Sequence, residues 1–115
     1  MDNLRALASV LCFTATLQSG HVLKVVDGDT FALYHVGTPP EERVRVLSVD
    51  TPERGEPGYA NATAFTRQWL SMGPFDIVAC KRDSFGRLLA DVSRDGVLLS
   101  DALKANGFNK QGATK

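Results

Sequence analysis

Cysteine is scarce in this sequence, aromatic residues are few and net charge is absent. Of 115 residues two are cysteine and 8% are aromatic, while 13 acidic side chains balance 13 basic ones. Each shortage excludes something. Cys12 and Cys80 lie in unrelated contexts, and His21 and His35 stand alone. No thiolate or histidine zinc site is therefore encoded. Cys80, within an apolar run, reads as a small buried hydrophobe. The charge balance removes any molecule-wide basic field, so contact with a polyanion must come from a local grouping of arginine and lysine. That disfavours tight non-specific DNA binding but leaves brief binding followed by chemistry. The apolar stretch at residues 7–17 is too short to span a bilayer, and no membrane association is expected. Internal repeats and low-complexity segments are also lacking.

What is present is enough for one domain with a core, at 43% hydrophobic content. Residues 1–19 admit two readings. Arg5, the apolar centre and the small or polar residues that follow fit a secretory signal. Asp2 and the lack of a clean cleavage site argue the other way, toward a strand beginning at residues 13–17. The leader is the preferred reading; it implies a secreted or periplasmic protein and would remove Cys12.

From Gly20 onward the pattern predicts strands over 21–26, 30–36 and 43–49, a helix over 60–72, strands over 75–81 and 87–93, and a helix over 99–106. Asp27-Gly28 predicts a type I′ hairpin turn, whose central residues need positive φ. A change of apolar parity between Val46 and Leu47 predicts a bulge or bend. Ala64, Phe65 and Leu70, with Ala60 and Trp69 nearby, form the apolar face of the first helix; Arg67 and Gln68 take the wetter side. Ser100 is the candidate cap of the second helix and Gly107 its stop. Residues 109–115 read as a loose tail. The order β-β-β-α-β-β-α predicts an α+β fold, a five-stranded Greek-key β-barrel with helices of the OB type.

The chemistry centres on Val44-Arg45-Val46-Leu47-Ser48-Val49-Asp50-Thr51-Pro52-Glu53, a strand that ends where proline forbids another ladder donor. Asp29 and Asp50 both fall at strand ends in neighbouring strands. Carboxylates brought close repel unless a cation lies between them, and hard oxygen donors suit Ca²⁺ or Mg²⁺. Water, a backbone carbonyl such as that of Thr51 and a substrate phosphate would complete such a shell. Arg45 and Arg87 offer guanidinium forks matched to phosphate. Glu53 is free to orient or deprotonate a water. The plainer alternative makes the aspartates turn formers and the arginines surface residues.

These residues carry a resemblance. The stretches Val26-Asp27-Gly28-Asp29-Thr30, Val44 to Glu53, Ala62-Thr63-Ala64-Phe65-Thr66, Asp83-Ser84-Phe85-Gly86-Arg87 and Ser100-Asp101-Ala102-Leu103 resemble, in order, those of the thermonuclease family, the staphylococcal-nuclease-like domains. They cover most of the chain between Gly20 and Gly107. The resemblance implies an OB-fold Ca²⁺-dependent nuclease that hydrolyses DNA and RNA to 3′-phosphate products. It implies that Asp29, Asp50 and the Thr51 carbonyl hold calcium, that Arg45 and Arg87 bind the phosphate, and that Glu53 acts on the attacking water. Asp27 then matches a carboxylate lying behind the metal ligands. Phe85 departs from the pattern, standing where better-known members carry a tyrosine. No second tyrosine follows Gly107, and residues 54–59 carry no lysine cluster. These departures bear on substrate affinity and base preference. A monomer acting on DNA or RNA, preferentially single-stranded, is expected. Two competing classes are a non-catalytic OB-type binding or interaction module and a calcium-stabilised interaction domain.

Overall fold

Strict alternation in one segment, Phe75, Ile77 and Ala79 inward against Asp76, Val78 and Cys80 outward, shows how the sheet is built. The computed structural model describes residues 12–34 and 41–110. Its strands are β1 (Phe13–Leu17), β2 (Val22–Asp27), β3 (Thr30–Tyr34), β4 (Glu41–Val46), β5 (Phe75–Arg82), β6 (Leu88–Arg94) and β7 (Val97–Leu98). The helices are α1 (Tyr59–Ser71) and α2 (Leu99–Ala105), and a single 3₁₀ turn spans Ser19–His21. The sheet runs β1-β5-β6-β4-β3-β2, with β7 beside β6. All pairings are antiparallel except β4 with β6. The fold is α+β with a mixed seven-stranded sheet. The sheet does not close: its path ends at β1 on one side and β2 on the other.

The core lies between the sheet and the two helices. Phe31, Val44, Val46, Phe75, Ile77, Ala90 and Val92 from the strands meet Trp69, Leu70, Leu99 and Leu103. Phe31 and Phe75 pack edge to face at 6.2 Å between centroids. Ala62, Thr63, Thr66, Trp69 and Leu70 form the buried face of α1. Ala64, expected inward, is exposed, and Phe65 is half-buried, because the threonines at 63 and 66 take the inner positions. The Thr66 hydroxyl finds a buried acceptor in the Gly28 carbonyl at 2.6 Å, so hydropathy alone misplaces the face.

Other expectations are corrected. Residues 13–17 form β1, paired along β5 from Phe13↔Ala79 to Leu17↔Phe75, while residues 1–11 lie outside the described residues. Cys80 is exposed rather than buried, on the outward face of β5, and forms a disulfide with Cys12. The Asp27–Thr30 turn contains no positive φ, so it is not type I′. The Asp27 carboxylate accepts from the Asp29 N–H at 3.1 Å and shapes the turn instead. β4 stops at Val46, and the expected bend follows as a turn at Leu47-Ser48, where Ser48 has φ 69°. Ser100 does not cap α2: Leu98 holds that position without a side-chain bond, and Ser100 is buried. Gly107 does end the helix, with φ 79°. Asn109 and Lys110 are docked rather than loose, as described below.

Candidate functional site

Strand register gathers the charged residues. Thr30 lies opposite Arg45 in the β3–β4 ladder, and the Val46 N–H donates to the Asp29 carbonyl at 2.8 Å. This joins the β2–β3 turn to the end of β4. Because β4 and β6 run parallel, with Val44 beside Leu88, Arg87 enters next to β4 from the start of β6. Arg43 and Arg45 share one face of β4 by the two-residue period. Asp27, Asp29, Arg43, Arg45, Asp50, Glu53, Phe85 and Arg87 line one open cleft of about 610 Å³.

Asp29 is the most enclosed of the cleft carboxylates, 5% exposed. One of its oxygens accepts from the Thr30 hydroxyl at 3.1 Å and the other from the Thr51 N–H at 2.9 Å. Arg45 spans the two aspartates: its Nη2 is 3.5 Å from Asp29 and 3.6 Å from Asp50. Its Nη1 donates to the carbonyls of Val46 and Val49, so the guanidinium also ties down the chain beyond β4. Thr51 itself is fully buried and packs against Gly28.

Asp83 organises the opposite lip. Its carboxylate accepts from the backbone N–H groups of Phe85 at 2.9 Å and Arg87 at 3.0 Å, and from Arg87 Nε at 2.7 Å. Despite an opposing effect of desolvation, these bonds hold the Asp83 carboxyl below its usual range. Arg87 reaches the Thr30 hydroxyl at 3.3 Å and lies 5.4 Å from the Phe85 ring. Phe85 is 84% exposed, a bare aromatic face at the cleft mouth.

Glu53 stands on the rim, 70% exposed, and its carboxylate lies 3.6 Å from Lys110. The Lys110 ammonium also faces Asp50 at 3.8 Å and Glu56 at 3.3 Å. The Lys110 N–H donates to the Asp50 carbonyl at 2.7 Å, and the Asp50 N–H donates to Asn109 Oδ1 at 2.8 Å. Sequence alone assigns no site role to Asn109, Lys110, Asp83 or Arg43. Strand parity with Arg45 could have identified Arg43. Nothing local signals Asn109 or Lys110, whose role comes from tertiary docking.

The donor set bears on a metal. Among the described residues no three His, Cys, Asp or Glu side chains converge as a metal-holding group. Asp29, Asp50 and the Thr51 carbonyl are oxygen donors only, the chemistry that a weak calcium site completed by water and substrate would use. The Arg45 guanidinium already lies between Asp29 and Asp50. Burial, and then the nearby charge of Asp29, push the Asp27 carboxyl up to about 7. No helix among the described residues is long and apolar enough to cross a membrane. No family model matches the chain.

Proposed function

We propose that this protein is a Ca²⁺-dependent phosphodiesterase of the staphylococcal-nuclease-like kind, hydrolysing DNA or RNA, single strands by preference, to 3′-phosphate products. The observation that supports it is convergence. Asp27 and Asp29, Arg45 through Glu53, and Arg87 come from three separated stretches, and their charged side chains line one cleft. An OB-type reading of the fold belongs to the same proposal. It is supported by the run β2-β3-β4-β6-β5 with its one parallel pair, to which β1 is appended at the β5 edge.

Arg45 and Arg87 hold the scissile phosphate from two sides of the cleft and oppose the charge that builds on its oxygens. Asp29, Asp50 and the Thr51 carbonyl would hold the calcium ion, which when bound polarises the phosphate as a Lewis acid. Glu53, exposed to solvent, accepts a proton from the attacking water. The water oxygen bonds to phosphorus, the bond to the 5′-oxygen breaks, that oxygen takes a proton from solvent to become the 5′-hydroxyl, and the phosphate stays on the 3′ side. Asp83 keeps Arg87 aimed through its two-point grip. Phe85 supplies an apolar face for a base at the cleft mouth. The balanced overall charge suits brief capture of substrate.

One observation favours a second reading, a non-catalytic nucleic-acid-binding or interaction module: the Arg45 guanidinium already bridges Asp29 and Asp50. Two substitutions test the roles. Glu53→Gln keeps shape but loses basicity, so kcat falls about 10²–10⁴-fold with little change in affinity for a nucleoside 3′,5′-bisphosphate. Arg87→Ala lowers kcat and that affinity together. Near-normal kcat in Glu53→Gln, or an Arg87→Ala enzyme intact in both respects, would overturn the assignment.

A further inference from the structure

We infer that the segment after α2, Asn109-Lys110, is a positioning clip for the calcium loop, with Lys110 as a built-in counter-cation that competes with the metal for Asp50. The inference rests on the calcium-site reading above. Its geometry has two parts. The backbone part is a reciprocal pair of hydrogen bonds that brackets Asp50: its N–H donates to Asn109 Oδ1 at 2.8 Å, and its carbonyl accepts from the Lys110 N–H at 2.7 Å. The charged part is the Lys110 ammonium, which faces three carboxylates of one loop, Asp50 at 3.8 Å, Glu53 at 3.6 Å and Glu56 at 3.3 Å.

The first half of that loop is held by Arg45 and the buried Thr51, and the clip adds a hold from the chain after α2. The loop begins after a turn containing Ser48 at positive φ and runs through residues 47–58 without a strand or helix. Inside it, Glu56 folds back to accept from the Glu53 N–H at 2.7 Å, so Glu53 and Glu56 form one local unit that Lys110 then attaches to Asp50. A single ammonium thereby faces both the proposed calcium ligand and the proposed base. The same positive charge lowers the attraction of the Asp50 carboxylate for a second cation. The two parts of the clip consequently act on calcium in opposite directions: the bonds of Asn109 preorganise the ligand, whereas the charge of Lys110 weakens its hold on the ion.

The opposition makes the inference testable beyond activity. Calcium chloride is titrated calorimetrically into the full chain with a nucleoside 3′,5′-bisphosphate present, and kcat on denatured DNA is measured in parallel. Removing the charge in Lys110→Met should tighten calcium by about three- to tenfold while kcat falls at least about tenfold, because Glu53 loses its tether. Lys110→Arg should restore both values toward the parent protein. Asn109→Ala should weaken calcium and lower kcat together. A purely structural role predicts instead that Lys110→Met weakens both, in step with a lower thermal midpoint; that result, or no change in either, overturns the inference. The outcomes separate it from the reading it rests on. Calcium shifts of the stated sign without any DNA cleavage in the parent protein would sink the nuclease proposal and leave the clip standing. Absence of calcium binding in the parent would sink both.

Discussion

At the residue scale, Asp27 is the most perturbed acid of the cleft. Its carboxyl is raised to about 7, first by burial and then by Asp29. The folded protein therefore holds a proton at pH values where the unfolded chain has released it. Stability is lost as pH rises from the unfolded value near 3.8 and levels off above about 7. Asp27→Asn keeps an acceptor for the Asp29 N–H and removes the charge. In chelator, the thermal midpoint of Asp27→Asn should exceed that of the parent protein by a margin that grows between about pH 4 and pH 7. Calcium should narrow the margin at neutral pH. A margin independent of pH would show that Asp27 is not the group responsible. That Asp29, Arg45, Asp50, Glu53 and Arg87 gather in one place was legible, because charged side chains at strand ends are poor core residues. The grip of Asp83 on Arg87 depends on a loop conformation that spacing does not specify.

At the scale of elements, the β2–β3 turn and the loop after β4 are fitted to each other. Gly28 is needed for space, not for positive φ: a Cβ there would lie 2.8 Å from the Cβ, Cγ2 and Oγ1 of Thr51. The residue on the other side of this contact is the one whose N–H holds Asp29. Gly28→Ala should thus destabilise the protein by about 1–3 kcal/mol, lowering the thermal midpoint by roughly 4–8 °C per kcal/mol, and calcium affinity should fall with it. An unchanged midpoint and unchanged calcium binding would contradict the close fit. The order of β2 to β6 and the two helices was legible from period and breakers, since β5 alternates cleanly and Gly73-Pro74 stops α1 one residue after the cap, whereas the two-residue β7 was not. Element partners were less so. The inner face of α1 was misjudged because Thr63 and Thr66 are buried, and the hairpin type because Asp-Gly serves tight packing here. Of the expected loose tail, residues 111–115 lie outside the described residues, and Asn109 and Lys110 dock because Asn109 meets Asp50 across 59 residues of sequence.

At the scale of the whole molecule, a neutral chain concentrates four carboxylates and three guanidinium groups in one cleft, those of Asp27, Asp29, Asp50 and Glu53 against Arg43, Arg45 and Arg87. Such a cleft does not attract polyanions from a distance, so the account expects turnover to depend on a cation that offsets the carboxylates. The open sheet, with β1 carried on the β5 edge and a disulfide at its start, was not legible. Residues 13–17 lack a turn signal linking them to β5, and two isolated cysteines do not declare a pair. The most direct test of the central claim is incubation of the protein with denatured DNA and CaCl₂, with and without chelator, followed by identification of the new ends. The account predicts chelator-sensitive cleavage that leaves 3′-phosphates; intact DNA under both conditions, or cleavage that persists in chelator or leaves 5′-phosphates, would contradict it.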